Sequence, residues 1–162
     1  MKKRTLVLLT FVPIIVGYII NLTVLLPGIG MLILYVLPLL TTVFWFWLGI
    51  QFAHTTWKTI PEILIGNATG IISIPVYLWQ FLLETDETRN MALAGFSQMF
   101  SASAPGYLLA RIAILFESEP NTFGRASFVA LNVISVVYMI AVFSAAILWE
   151  KIKIRKASSQ ST

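Results

Sequence analysis

The chain has 162 residues, of which 58% are hydrophobic and only 11% charged, with a net charge of +4. Soluble domains carry roughly 25% charged residues, and no formally charged side chain occurs between Arg4 and Lys58; an ordinary soluble fold is excluded, and an all-α integral membrane protein is expected. Cysteine is absent, which removes disulfides, thiolate metal sites and cysteine nucleophiles, and the basic residues border apolar runs rather than forming the stripe that a nucleic-acid partner needs.

A basic start, MKKR, leads into an apolar run over 6–26. The run is too long for a signal peptide, and no alanine precedes Ala53 to supply a cleavage site, so an uncleaved first span is expected. Pro27, Gly28 and Gly30 mark a tight turn. A second span over 31–52 follows, and the polar stretch AHTTWKT leads to a third over 61–83. Thr59 and Glu62 have capping-box spacing, with Pro61 in the first turn and Lys58 near enough to neutralise the acid. That reading accounts for Glu62 better than a proton relay does.

Gly66 and Gly70 have the spacing that lets helices approach closely, and Asn67 between them can hydrogen-bond across the contact. Asn21 and Asn132 fall at nearly the same depth and are expected to pair as polar glue. Trp45, Trp47, Trp57 and Trp149 fall toward one interface and Trp79 toward the other, as anchors. After the acidic ETDETRN comes the apolar segment 91–116, then ESEPNTFGR, a last span over 127–148 and a basic tail over 149–162, whose final six residues are expected to be disordered. The whole chain, 1–162, reads as one polytopic domain.

Charge placement bears on whether 91–116 crosses. If it does, there are five spans. One side then holds Lys2, Lys3, Arg4, Lys58 and Arg125, and the other holds Arg89, Lys151, Lys153, Arg155 and Lys156, with no bias. If it does not, there are four. Lys2, Lys3, Arg4, Lys58, Lys151, Lys153, Arg155 and Lys156 then gather on one side against Arg89, Arg111 and Arg125. The positive-inside rule favours the second arrangement, with both termini cytoplasmic in a multi-pass plasma-membrane protein. Compactness and the lack of processing signals point to a bacterial source.

Within 91–116, Ala104, Pro105 and Gly106 form a hinge whose arms reach about 20 and 15 Å, each too short for a core of about 30 Å. Leu93, Phe96, Met99 and Phe100 share one helical face, and Ser97, Gln98 and Ser101 the other. Two readings stand: an amphipathic helix lying on the outer surface with its aromatic face in lipid, or a re-entrant hairpin surrounded by protein or a watery cavity.

No catalytic constellation, cofactor motif or metal spacing occurs, and the lone His54 reads as a solvated polar residue, so no enzyme is expected. The leading functional reading is a non-enzymatic accessory, assembly or protective subunit acting through helix contacts. Its partners would be the lipid bilayer and either another membrane protein or a second copy. The alternative is a small oligomeric channel or transporter in which Ser97, Gln98, Ser101 and Arg111 line a pathway. Glu84, Asp86, Glu87, Glu117 and Glu119 would then form a cation vestibule at its mouth.

Overall fold

The computed structural model describes residues 2–117, 119 and 122–159, and every regular element among them is helical. Helices α1 (Lys3–Leu9) and α2 (Val12–Thr23) make one rod, interrupted at Thr10 and Phe11. Pro13, in the first turn of α2, has no N–H for the carbonyl four residues before it. The Thr10 hydroxyl donates to Val7 O at 2.7 Å, and Thr69 donates to Thr10 O at 3.5 Å, so the break is patched from within and from a neighbour. Gly28 turns the chain with φ of 74°, a left-handed conformation that glycine adopts without penalty.

Helix α3 (Ile29–Ala53) is continuous through Pro38. The third rod is α4 (Thr59–Gly66) and α5 (Ala68–Leu78), bent by 55° at Asn67 and closed by a π-helical turn, Trp79–Leu83. The side chain of Asn67 repairs the bend: its Nδ2 donates to Ile63 O at 2.9 Å, and Trp45 Nε1 donates to its Oδ1 at 3.3 Å. Helices α6 (Met91–Ala102) and α7 (Gly106–Ala113), the latter extended by a 3-10 turn, Ile114–Phe116, meet at 102°. The last helix, α8, runs Arg125–Ser159.

Among the described residues, three helices are long and apolar enough to cross a membrane, Lys3–Thr23, Ile29–Ala53 and Arg125–Ser159, and up to five if each bent pair counts as one span. Large apolar side chains such as Leu8, Ile15, Leu22, Leu32, Leu40 and Val43 are exposed along them, which suits contact with lipid tails.

Pairwise contacts give the direction of each rod. Thr42 meets Tyr138, Gly49 meets Phe143 and Ala146, and His54 meets Glu150, so α3 and α8 run parallel. Thr59 meets Lys151, Gly66 meets Phe143 and Phe81 meets Arg125, so α4 and α5 run antiparallel to α8. Lys3 Nζ donates to Thr56 Oγ1 at 2.8 Å, which fixes the N-terminus at the same end as the loop after α3. One end of the bundle therefore carries Lys3, Lys58 and Lys151, and is called here the basic end. The other carries Glu84, Asp86, Glu87, Glu117 and Glu119, and is called the acidic end.

The segment 91–116 starts and finishes at the acidic end. Asn90 N donates to the Gln80 side chain at 2.8 Å, and Glu117 accepts from Ser127 N at 3.0 Å. Between these points α6 descends far enough to bring Phe100 against Gly70 and Trp45. Helix α6 packs against the bundle with the serine side that the amphipathic reading assigns to its polar face. Ser97, Ser101 and Phe100 face inward, and Phe96 and Leu93 face outward, because α2, α5 and α8 enclose its serine side.

The core centres on Phe143, whose ring lies 5.3 Å from Trp45 and 5.2 Å from Phe52. Lipid tails are as apolar as leucine, so close packing rather than water exclusion holds such rods together. The glycines allow it. A Cβ on Gly66 would lie 2.2 Å from the Phe143 ring, and one on Gly70 would lie 2.5 Å from Phe100. The G-x-x-x-G face is thus occupied inside the monomer. Trp45, expected at an interface, is instead a fully buried core residue.

Two further expectations change. The tail is helical to Ser159, and of the six residues expected to be disordered, 160–162 lie outside the described residues. The capping box does not form: α4 makes no side-chain cap bond. Glu62, 0% exposed, instead accepts from Thr55 Oγ1 at 2.9 Å. Its second oxygen has no well-angled donor and is held by the Lys151 ammonium at 2.5 Å. Lys151, which also donates to Thr59 at 2.9 Å, takes the neutralising role expected of Lys58.

Candidate functional site

A cavity of about 430 Å³ lies against the hinge between α6 and α7, in the half of the bundle toward the acidic end. Six helices contribute to its wall: α2 with Asn21, α3 with Leu34, α5 with Tyr77, α6 with Gln98 and Ser101, α7 with Tyr107, and α8 with Asn132 and Ser135. Local sequence explains its shape. The break at 103–105 ends α6 before it can fill the space, and Ser103 closes the helix end by donating to Phe100 O at 2.7 Å. Proline in α3 at position 38 also deprives the Leu34 carbonyl, on the wall, of its usual helical donor.

The polar groups of the wall are incompletely paired. Asn132, 6% exposed, donates from Nδ2 to Ser101 Oγ at 2.7 Å, while its Oδ1 has no partner among the described residues. The Ser101 hydroxyl donates to Gln98 O at 2.9 Å. The side chains of Asn21, Ser135, Tyr77 and Tyr107 make no hydrogen bond among the described residues. Ser135 and Tyr77 are only 2% and 3% exposed. Of these groups, Asn132 Oδ1 is the buried polar atom left without a partner among the described residues, which costs free energy until a donor meets it, while Asn21 is exposed. Among the described residues, the wall holds no Lys, Arg, His, Asp or Glu.

The structure brings together part of the expected set. Asn21, Asn132, Gln98 and Ser101 share the cavity, but Asn132 bonds to Ser101 rather than to Asn21. Ser97 is buried beside it and bonded to Ala94 O at 2.8 Å. Arg111 is exposed on α7, is not on the wall and has no partner among the described residues. Gly66, Asn67 and Gly70 lie at the α4–α5 contacts described above. Three polar residues among the described lining, Tyr77, Tyr107 and Ser135, were not expected. Ser135 lies one turn beyond Asn132 on the same face of α8, a signal present in the sequence. Tyr77 and Tyr107 carry no such signal.

The five carboxylates share the acidic end without converging on the cavity. Glu84 accepts from Trp79 Nε1 at 2.8 Å, and Asp86 pairs with Arg89 at 2.9 Å. Glu117 accepts from Gly124 N and Ser127 N, each at 3.0 Å, and from Ser127 Oγ at 2.8 Å, so it caps α8. The Ser127 amide, followed by the Ser127 hydroxyl and the Gly124 amide, holds the Glu117 carboxyl below its ordinary value of 4.5. Glu87 and Glu119 make no side-chain bond among the described residues. At the basic end, His54 Nε2 lies 3.2 Å from Glu150 Oε1. No group of three or more metal-ligating side chains occurs among the described residues.

Comparison of the chain with protein-family models, with curated proteins and with solved structures returns no significant match.

Proposed function

We propose that this chain is a non-enzymatic membrane protein of the plasma membrane that crosses four times, keeps both termini in the cytoplasm, and binds or passes a small solute. In this reading 91–116 enters from the outer face and returns to it, and its hinge walls the solute site. The observation that carries the reading is the cavity at that hinge, with the unpartnered polar atoms of Asn132, Ser135 and Tyr77 around it. Non-helical backbone at membrane depth is tolerated where it is buried in protein or lines a cavity, and broken helices commonly frame transporter sites. The gathering of Lys3, Lys58 and Lys151 at one end supports the orientation.

The absence of cysteine makes the test direct. Single cysteines at Thr88, Thr122 and Ser159 are labelled in intact cells with an impermeant maleimide. Labelling at Thr88 and Thr122 with protection at Ser159 is expected, and opposite behaviour of Thr88 and Thr122 rules out the non-crossing hinge. A cysteine at Gln98 then reports on the cavity: its modification should block solute flux in liposomes.

A second reading is an accessory subunit docked to another membrane protein. It is favoured by an apolar groove of about 670 Å³ that includes Leu82, Phe116, Ala126, Val129, Ala130 and Val133. Small residues there let a partner helix approach closely, and purification with a stoichiometric partner is the outcome that supports it.

A further inference from the structure

We infer that the cavity at the hinge recognises a small, uncharged polyhydroxyl solute, and that Asn132 Oδ1 is the acceptor that selects it; this rests on the solute-site reading above. The orientation of the Asn132 amide is fixed by chemistry rather than by shape. Ser101 gives its single proton to Gln98 O at 2.9 Å, so toward Asn132 it can only accept. It accepts from Nδ2 at 2.7 Å, which commits the amide nitrogen to Ser101 and leaves Oδ1 as a bare acceptor. A bare acceptor calls for a donor on the solute.

The remaining free groups narrow the class. Ser135, Tyr77 and Tyr107 carry hydroxyls that both donate and accept, and Asn21 carries an amide that does the same. A solute whose own groups are hydroxyls, each both donor and acceptor, can satisfy this wall from many approaches. The Tyr77 and Tyr107 rings are set by contacts with Phe81 at 4.4 Å and Tyr35 at 4.7 Å, and they offer carbon surface for a solute skeleton. Charge is selected against: the wall holds no ionised side chain among the described residues, and a charged solute within the membrane needs a counter-charge.

The full chain is purified, reconstituted in liposomes and tested by light scattering under inward gradients of glycerol, erythritol and xylitol, with urea and glycine for comparison. In parallel, each solute is tested for a shift of the thermal midpoint in detergent. Polyols are expected to enter faster than into protein-free vesicles or to raise the midpoint. Asn132→Leu is expected to reduce that permeability or apparent affinity by about tenfold, the loss of one bond to a buried acceptor. The same variant removes an unsatisfied buried atom together with the bond to Ser101, two opposed changes, so its midpoint without solute is expected to stay close to the parent's, which separates recognition from folding. Ser101→Ala leaves α6 intact but frees the amide to turn, and is expected to give a smaller reduction.

Entry or binding of urea or glycine without the polyols overturns the solute class and leaves the solute site standing. No response to any solute overturns both. Polyol entry unchanged in Asn132→Leu overturns the assignment of Asn132.

Discussion

Lys151→Met removes the cation facing Glu62 and leaves a carboxylate that is 0% exposed with only the Thr55 hydroxyl as donor. Breaking a buried pair by deleting one partner costs about 3–5 kcal/mol, because the remaining charge is uncompensated. The Lys151 side chain keeps 24% of its surface exposed, so part of the attraction is already screened. The loss is therefore set at the lower end of that range, about 3 kcal/mol, or on the order of 10 °C in midpoint for a chain of this size. Thermal unfolding in detergent, followed by helical circular dichroism, measures it. The companion variant Glu62→Gln with Lys151→Met carries no charge at the site and still offers Thr55 an oxygen. It is expected to recover to within about 1 kcal/mol of the parent, since neutral replacement of both partners is often tolerated. A loss below about 1 kcal/mol in the single variant, or a double variant as unstable as the single one, would refute the uncompensated-charge reasoning.

Gly17→Ala places a Cβ 1.7 Å from Met99 O; forcing α2 from α6 is expected to cost about 1–3 kcal/mol, measured by thermal unfolding. Gly95→Ala, with nothing within 4 Å, is expected to hold or gain up to about 1 kcal/mol through helix propensity. Glu117, whose carboxyl sits below 4.5 when folded, contributes stability that is fully present above that value and lost as pH falls through the depressed one. Protection of the Ser127 and Phe128 amides, measured as exchange relative to the intrinsic rate at each pH, is expected to be high at neutral pH and to fall on acidification, and Glu117→Gln should flatten that dependence.

Hydropathy and Lys/Arg placement made the long helices legible, because lipid exposure demands runs that need no tertiary partner. The breaks were harder to read. Pro13 is visible in the sequence, but Asn67 becomes a bend only because Trp45 and Ile63 take up its side chain. Rise per residue put Asn21 and Asn132 at one depth, and they do share a cavity. It carried no information about rotation around α8, which turns Asn132 toward Ser101. Glu62 was misread for a related reason: the capping pattern is local, whereas the cation that meets the acid comes from the far end of the chain. Five acids look alike as letters, yet Glu117 is a helix cap and Asp86 half of an ion pair.

The parallel course of α3 and α8 has a consequence for how the protein assembles. Thr42 and Tyr138, which meet across that contact, are 96 residues apart, and Trp45, Phe52 and Gly66 all rest on Phe143. The keystone of the bundle is thus carried by α8 and locks helices far from it in sequence. Without α8, the earlier helices lack the ring that their faces are shaped to receive. Their register is tied to α8, which seats Phe143 against Gly66. A chain stopped before α8 would lack the ring on which α3 and α4 both rest.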